Sequence, residues 1–311
     1  MQERKLIDIS KVKKEEISIM CKYTTIFTIV DDFCKIYEDM QKYYCVADQK
    51  KRHRKTLLSL SEMMSIVIFY HFSGYKYFKL YYENEICGRL KHLFPRRPCY
   101  DRFIGLMPRL FVPMTLMLHL MQGKKTGEYY VDSTHFSVCK NKRITRHKTF
   151  EGIAERGKST MGWFFGFKLH LVCNFEGQIV AIKITAGNED DRKAFEDIVN
   201  THNLSGKTYA DKGYIGKDLF KRLWKNGLHL ITGIKRNMKN YLMPWLDKIL
   251  LRKRVMIETI FSTLKEEFNI RPNKHRSPVN FFISLISALI AYQIKPNKPK
   301  INMKNISIPY P

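Results

Sequence analysis

The stretch GEYYVDSTHFSV, residues 127–138, is rich in aromatic and β-branched residues and predicts a β-strand that carries an acidic residue, Asp132. The segments after it predict, in order, strands over 163–174 and 178–187, a helix over 190–200, a strand over 207–211, a helix over 217–226, a strand over 228–234 and a helix over 249–268. Gly177 marks the turn between the second and third strands. Three antiparallel strands followed by alternating helices and strands predict a mixed sheet with helices on its faces.

This order of elements is that of the ribonuclease-H-like fold, and the residues before it are patterned differently. Helical patterns are predicted over 32–44, 59–74, 76–90 and 99–110, with Ser61 as a cap and Gly74 as a stop for the second. We therefore predict an α/β protein with a ribonuclease-H-like mixed sheet and flanking helices, preceded by an all-helical N-terminal module. The predicted domains are a helical DNA-binding or dimerisation module, a catalytic domain and a basic tail, at residues 1–121, 122–295 and 296–311.

The composition favours a polyanionic partner. The 311 residues include 55 Lys and Arg against 29 Asp and Glu, a formal net charge of +26. Such an excess repels itself in a compact chain, so nucleic acid is the favoured partner, ahead of a membrane surface. Seven cysteines without a CxxC pair disfavour a zinc ribbon and a disulfide framework. The apolar run 281–292 is shorter than the roughly 20 residues of a bilayer span, and residues 1–14 are charged throughout, so we expect a cytoplasmic protein.

Three carboxylates occupy informative places in these elements. Asp132 lies inside the first strand, Asp211 ends the fourth strand, and Glu258 lies in the last helix. In the predicted fold the first and fourth strands are parallel neighbours, and the last helix crosses the sheet, so the three should converge. Buried charges need an offsetting partner, and hard oxygen ligands suit Mg²⁺. Alone, each acid has an ordinary explanation as a cap or a solvated side chain, but the three together predict two Mg²⁺ ions about 4 Å apart.

The local strings around these acids carry a family resemblance. VDST (131–134), ADKGY (210–214) and RVMIETIF (254–261) resemble the three catalytic signatures of DDE-type transposases of bacterial insertion sequences. Arg254 and Lys265 flank Glu258 in the R-x3-E-x6-K spacing of that family, whereas Leu251 stands where many relatives carry a tyrosine. SLSEMMSIVIFYHFSG (59–74), VCKNKRI (138–144) and FFISLISALIAY (281–292) resemble the insertion-sequence 982 group.

The resemblance implies a function. The N-terminal module would bind terminal inverted repeats, and Asp132, Asp211 and Glu258 would hold Mg²⁺, with Mn²⁺ able to substitute, for DNA cleavage and for strand transfer into target DNA. It also implies a homodimer or larger synaptic complex on double-stranded DNA, associated with the nucleoid and not with a membrane. Two alternatives stay open: a metal-dependent nuclease without strand transfer, and a non-catalytic DNA-binding derivative. For the N-terminal module, a dimerisation bundle is the alternative to a DNA reader.

Basic residues near the acids are the predicted DNA contacts. The loop after the first strand is expected to grip phosphates, with a merely solvated loop as the alternative; its basic residues are Lys140, Lys142, Arg143, Arg146 and Lys148. By resemblance, Arg254 and Lys265 would hold DNA near the metals, although Arg254 could instead form an i,i+4 ion pair with Glu258. We expect Trp163 and Trp245 to pack against the protein, with base stacking at Trp245 as the alternative, and His170 to be a satisfied sheet histidine. KKRHRK (50–55) is a further basic run.

Overall fold

The structure is a computed structural model that describes residues 9–44, 56–159, 162–236, 238, 242–270 and 276–302. The chain divides into two compact units, one of Met1–Leu118 with Phe282–Ile294 and the other of His119–Phe281 with Lys295–Pro311. The functions assigned from sequence to 1–121, 122–295 and 296–311 stay predictions, as do those boundaries. The basic run 50–55 lies outside the described residues.

Helices fill the described residues before 121, which confirms the helical N-terminal region. They are α1 (Ile9–Tyr44), α2 (Leu60–Tyr70), α3 (Phe78–Tyr81) with a π-helical extension (Tyr82–Arg89), α4 (Tyr100–Leu106), a 3-10 turn (Met107–Leu110) and α5 (Phe111–Leu120). The helix predicted over 32–44 is present and ends at Tyr44, but its predicted start was wrong, because one continuous helix runs from Ile9 to Tyr44.

The start of α2 differs from the prediction of a Ser61 cap. Ser59 is the N-cap: its Oγ accepts a hydrogen bond from the Glu62 N–H at 3.1 Å, and the Glu62 carboxylate accepts one from the Ser59 N–H at 2.7 Å. This reciprocal capping box needs an acid three residues after the cap, which Ser59 has. Ser61 is followed at that distance by Met64 and is itself buried.

One helical run among the described residues, Tyr100–Leu120, has the length and apolar composition of a membrane span. In its most apolar part 44% of the residues are buried within the protein. Core helices of soluble proteins meet the same criteria, so this run is weak support for a span.

The second unit contains a six-stranded mixed sheet and its helices. The strands are β1 (Glu128–Ser137), β2 (Glu155–Ser159), β3 (Gly162–Asn174), β4 (Ile179–Ala186), β5 (Gly206–Ala210) and β6 (Leu228–Thr232). The helices are α6 (Asp191–His202), α7 (Lys217–Lys225), α8 (Trp245–Arg252) and α9 (Val255–Ser262), the last continued by a π-helical turn (Thr263–Glu267). The last helix among the described residues, α10 (Pro278–Ile294), begins in this unit and ends in the other.

The strand pairing confirms the ribonuclease-H-like mixed sheet. Strand β3 pairs antiparallel with β1 on one edge and with both β4 and β2 on the other. Strand β5 pairs parallel with β1 and with β6, as the element order predicted. Strand β2, with the sequence ERGKS, was missed because it has neither β-branched nor aromatic residues.

The first half of β1, at Tyr129, Tyr130 and Val131, is buried on both faces. Tyr129 and Val131 belong to the core formed with α6 and α7. Since side chains alternate along a strand, Tyr130 and Asp132 point to the opposite face. There the Tyr130 hydroxyl donates to the Leu250 carbonyl of α8 at 2.8 Å. The alternation therefore directs Asp132 toward the α8–α9 segment.

The prediction of one helix over 249–268 was wrong, because α8 ends at Arg252 and α9 begins at Val255. The Leu250 carbonyl accepts the Tyr130 hydroxyl, and the Arg254 N–H bonds instead to the Leu251 carbonyl at 3.3 Å. The helical hydrogen-bond pattern therefore tightens at that turn. The sequence LLRKRV contains no Gly or Pro that would signal a break.

Candidate active site

The three predicted carboxylates come from three different elements of the second unit. Asp132 lies on β1, Asp211 directly follows β5, and Glu258 lies on α9. The parallel register pairs Tyr130 with Tyr209, and continuing it by two residues brings Asp132 level with Asp211. The neighbouring Asp211 charge contributes to raising the pKa of Asp132, in keeping with their proximity.

One guanidinium joins two of these acids. Arg254 Nη1 donates to Asp132 Oδ2 and Arg254 Nη2 donates to Glu258 Oε1, both at 2.8 Å. The i,i+4 ion pair that was the alternative for Arg254 is therefore present. The bond to Asp132, which joins α9 to the sheet, was not predicted. The Arg254 guanidinium therefore lies between the carboxylates of Asp132 and Glu258, which come from β1 and α9.

The setting of Asp132 makes its charge costly. Its side chain is 21% exposed, and burial is the main cause that raises its carboxyl pKa. The Ser133 N–H, at 2.8 Å from Oδ1, and the Arg254 guanidinium oppose that rise, whereas Asp211 adds to it. Two neighbouring carboxylates in a partly buried site need a positive charge to stay ionised together.

The donor chemistry fits a hard divalent cation, because all three side chains offer carboxylate oxygens. Within the ranges that the structure describes, however, no three His, Cys, Asp or Glu side chains lie close enough together to hold a metal ion. Asp211 is exposed and its Oδ1 accepts the Lys212 N–H, which caps a 3-10 turn (Lys212–Tyr214). The structure thus joins Asp132 to Glu258 through Arg254 and leaves Asp211 outside that pair.

Lys265 faces β1 beside the site. Its Nζ donates to Thr134 Oγ1 and lies 6.0 Å from the centroid of the Phe136 ring. Burial lowers the pKa of Lys265, and the charges of Asp132 and Glu266 oppose that shift. The amine is therefore held two residues along the strand from Asp132.

A polar network on the other face of β1 was missed by the sequence analysis. Ser133 Oγ donates to Asp191 Oδ2 at 2.9 Å, and Lys168 Nζ donates to Asp191 Oδ1 at 2.9 Å and to the Glu189 carbonyl at 2.7 Å. The serine in VDST was the available signal, since a hydroxyl next to Asp132 must point to the opposite face and find a partner there.

His170 lies buried beside this network. Its Nε2 is 2.9 Å from Thr185 Oγ1, and its Nδ1 has no hydrogen-bond partner among the described residues. Burial is the largest cause that lowers its pKa, to about 4; Lys168 and Lys183 act in the same direction, whereas Asp191 and Glu189 oppose it. This environment holds the imidazole neutral. His170 is a sheet histidine as predicted, but the prediction that it is satisfied was wrong at Nδ1.

The basic turn follows β1 and includes the 3-10 segment Asn141–Arg146. We use that name for Lys140, Lys142, Arg143, Arg146 and Lys148, all of which are exposed. None of the five forms an ion pair with a residue that the structure describes. Their charges are therefore available to an outside anion.

The two tryptophans expected to pack do so only in part. Trp245, at the start of α8, is 40% exposed, and Trp163, near the start of β3, is 61% exposed. The packing prediction was wrong for Trp163, because its position in β3 pairs with an exposed lysine of β2, Lys158, rather than with an apolar residue.

Comparisons with known proteins bear on this site. No curated protein sequence matches the chain at a significant level. Among solved structures, the chain is similar to a piggyBac transposase from a synaptic complex with hairpin DNA, with 8% identity and a TM-score of 0.49, over 87% of this chain and 72% of that one. The family described as "Transposase DDE domain" matches residues 122–278, which hold Asp132, Asp211 and Glu258. With half of its length matched by this family, the chain belongs to the DDE-domain transposases, which are DNA-acting enzymes.

Proposed function

We propose that this transposase cleaves DNA at the ends of an insertion element and joins the freed 3′ ends to target DNA, using Asp132, Asp211 and Glu258 as metal ligands. The observation that carries the proposal is the Arg254 guanidinium, which bonds to both Asp132 and Glu258 at 2.8 Å. A positive charge is already accommodated between carboxylates that come from the sheet and from α9. Asp211, which directly follows β5, would complete the donor set.

The proposed cofactor is Mg²⁺, with Mn²⁺ able to substitute, since carboxylate oxygens suit both ions. Bound divalent ions would activate the attacking hydroxyl and stabilise the leaving oxygen. Within the protein, Arg254 would release Asp132 and Glu258 if these two carboxylates bound the metal. The freed guanidinium is then placed to bond a DNA phosphate, the role that the R-x3-E-x6-K spacing suggested.

The other basic residues that we propose to contact DNA lie at two places in the second unit, at Lys265 and in the basic turn. Lys265, held against Thr134, is near enough to Asp132 to contact the strand that is cut. The basic turn has no ion pair with the described residues, so its exposed charges are placed to hold the flanking phosphates.

We further propose the finer assignments that the sequence motifs favour. The chain would belong to the insertion-sequence 982 group, and its helical region would bind the terminal inverted repeats or dimerise. It would act on double-stranded DNA as a homodimer or larger synaptic complex, in the cytoplasm and associated with the nucleoid. The net charge of +26 supports a DNA partner, and the pairing of two element ends in one reaction supports an assembly of more than one copy.

Asp211→Asn tests the metal assignment. The amide keeps the oxygen that caps the turn after β5 but removes the charge, so the fold and DNA binding should persist. Cleavage of a duplex that carries an element end should fall by several orders of magnitude in Mg²⁺. The matched control is Asp218→Asn, which removes another exposed carboxylate in the first turn of α7 and should leave cleavage unchanged.

Products separate the remaining alternatives. With pre-cut ends and a target plasmid, the proposed transposase yields DNA in which the ends are joined to the target, whereas a simple nuclease yields none. A non-catalytic derivative would show binding without cleavage. Wild-type cleavage retained by Asp211→Asn would refute the metal assignment.

A further inference from the structure

An open cleft of about 460 Å³ is bordered by the turn that follows Asp211 and by the Asp191 network on the face of β1 opposite to Asp132. Its lining, which we call the Trp163 cleft, includes Arg156, Lys158, Trp163, Asp191, Arg192 and Gly213. Gly213 comes two residues after Asp211, and Asp191 accepts the hydroxyl of Ser133, the residue after Asp132. Through these two residues the cleft adjoins the chain segments that carry Asp211 and Asp132.

An aromatic ring is presented at this cleft. Trp163 is 61% exposed, and Lys158 lies directly opposite it on β2, with Nζ 5.9 Å from the centroid of the indole ring. The backbone at Trp163 is anchored, because Asn141 Nδ2 donates to its carbonyl at 2.7 Å. A large apolar ring left in water on an anchored strand is a surface available for stacking.

The acids of the cleft are already neutralised. The Lys168 amine pairs with Asp191 at 2.9 Å, and the Lys193 amine pairs with Glu189 at 3.1 Å. Asp190 accepts a hydrogen bond from Arg192 Nε at 3.0 Å.

Two cations of the cleft are not neutralised in this way. Arg156 and Lys158 are exposed, and neither forms an ion pair within the described part of the chain. The charge that the cleft offers to a ligand beside Trp163 is therefore positive.

From these features we infer that the Trp163 cleft binds an unpaired nucleotide of the DNA strand at the reaction site. The base stacks on the Trp163 ring, and the adjoining phosphate contacts Arg156 and Lys158. The base must be unpaired because both faces of a base inside a duplex are already covered by its neighbours. The inference rests on the proposed function, since it assigns part of the same DNA path.

The test is a binding measurement with wild-type protein in EDTA, which prevents metal-dependent cleavage. The probes are a fluorescent oligothymidylate and an abasic oligomer of equal length, each followed by anisotropy. Trp163→Ala should weaken oligothymidylate binding by about 5- to 150-fold, the range expected for loss of one stacked base. Binding of the abasic oligomer should change by less than about twofold, because it has no base to stack.

Two further variants keep the result interpretable. Trp163→Phe should retain most of the affinity, since it preserves an aromatic face. Trp224→Ala removes a similarly exposed tryptophan, 59% exposed on α7, and should leave oligothymidylate binding unchanged. Equal losses on both oligomers, no loss on either, or an equal loss in Trp224→Ala would overturn the inference.

This outcome is distinguishable from failure of the proposed function. Stacking is measured without metal, and cleavage is measured with it. A wild-type protein that stacks bases but does not cut would refute the catalytic proposal alone. A protein that cuts, with Trp163→Ala binding both oligomers normally, would refute only the stacking inference.

Discussion

Replacing Arg254 with alanine should strengthen the binding of a divalent metal ion while weakening DNA cleavage. In the structure the guanidinium occupies Asp132 Oδ2 and Glu258 Oε1, the same oxygens that a metal ion would take. Binding therefore competes with two charge-assisted hydrogen bonds. Removal of the arginine ends that competition but also removes the proposed contact to a DNA phosphate.

The expected gain follows from the exposure of each bond. The Arg254 and Asp132 side chains are 20% and 21% exposed, so their bond contributes about 1.5 to 3 kcal/mol. The Glu258 side chain is 52% exposed, and an i,i+4 pair in water contributes only about 0.3 to 0.5 kcal/mol. Together they amount to about 1.8 to 3.5 kcal/mol, or a roughly 20- to 400-fold lower Kd for the metal.

Titration of the DNA-free protein with Mn²⁺, followed by electron paramagnetic resonance of the free ion, measures this Kd directly. Arg252→Ala is the matched control, because it removes an exposed arginine at the end of α8 and changes the net charge equally. The reasoning is refuted if Arg254→Ala binds Mn²⁺ no more tightly than Arg252→Ala does.

Three further predictions concern DNA binding and stability. Alanine at four positions of the basic turn, 140, 142, 143 and 146, should make the plot of log affinity against log salt concentration less steep by about 3 to 4. Each lost phosphate contact accounts for about 0.9 of this change. An unchanged slope would exclude the basic turn from the DNA path. Asp247→Ala should lower the free energy of unfolding in urea by about 1 to 3 kcal/mol, because the buried Tyr209 hydroxyl loses its acceptor at 2.9 Å, and Asp247→Asn should cost less. His170 has a folded pKa lowered to about 4, so the unfolded chain binds the extra proton and stability falls as pH drops from about 6.5 toward 4. In urea titrations across that pH range, His170→Gln should lack this loss in the free energy of unfolding, which reaches up to roughly 3 kcal/mol in the wild-type protein. Identical pH profiles for the two proteins would contradict the assignment.

The order of strands was predictable because hydrophobic patterning marks most of them. Strands β1, β3 and β4 are apolar and β-branched, and the parallel pairing of β1 with β5 follows from the β-α-β order. Strand β2 escaped because its charged residues are typical of a loop. Its pairing depends on the neighbouring β3 rather than on its own propensity.

The break between α8 and α9 was not predictable for a related reason. The break coincides with a hydrogen bond from the Tyr130 hydroxyl, which comes from a distant strand and donates to the Leu250 carbonyl near the end of α8. A tertiary hydrogen bond leaves no local signal in the sequence of the helix.

The residues of the candidate site could be predicted from the sequence, but the contacts between them could not. The positions of Asp132, Asp211 and Glu258 in their elements followed from local patterns, and their role as ligands stays a proposal. The link from Arg254 to Asp132 depends on how α9 lies against β1, and the exposure of Trp163 depends on its partner in β2. Sequence spacing alone cannot describe such contacts between elements.

The bond from Tyr130 to the Leu250 carbonyl has a consequence for the length of the chain between Asp211 and Glu258. Strand β1 carries Asp132 and also anchors the end of α8, the helix that precedes the one carrying Glu258. The distance between Asp132 and Glu258 is therefore fixed by contacts that come after the segment 233–244 in the chain. Residues inserted in that segment should loop outward without displacing Glu258.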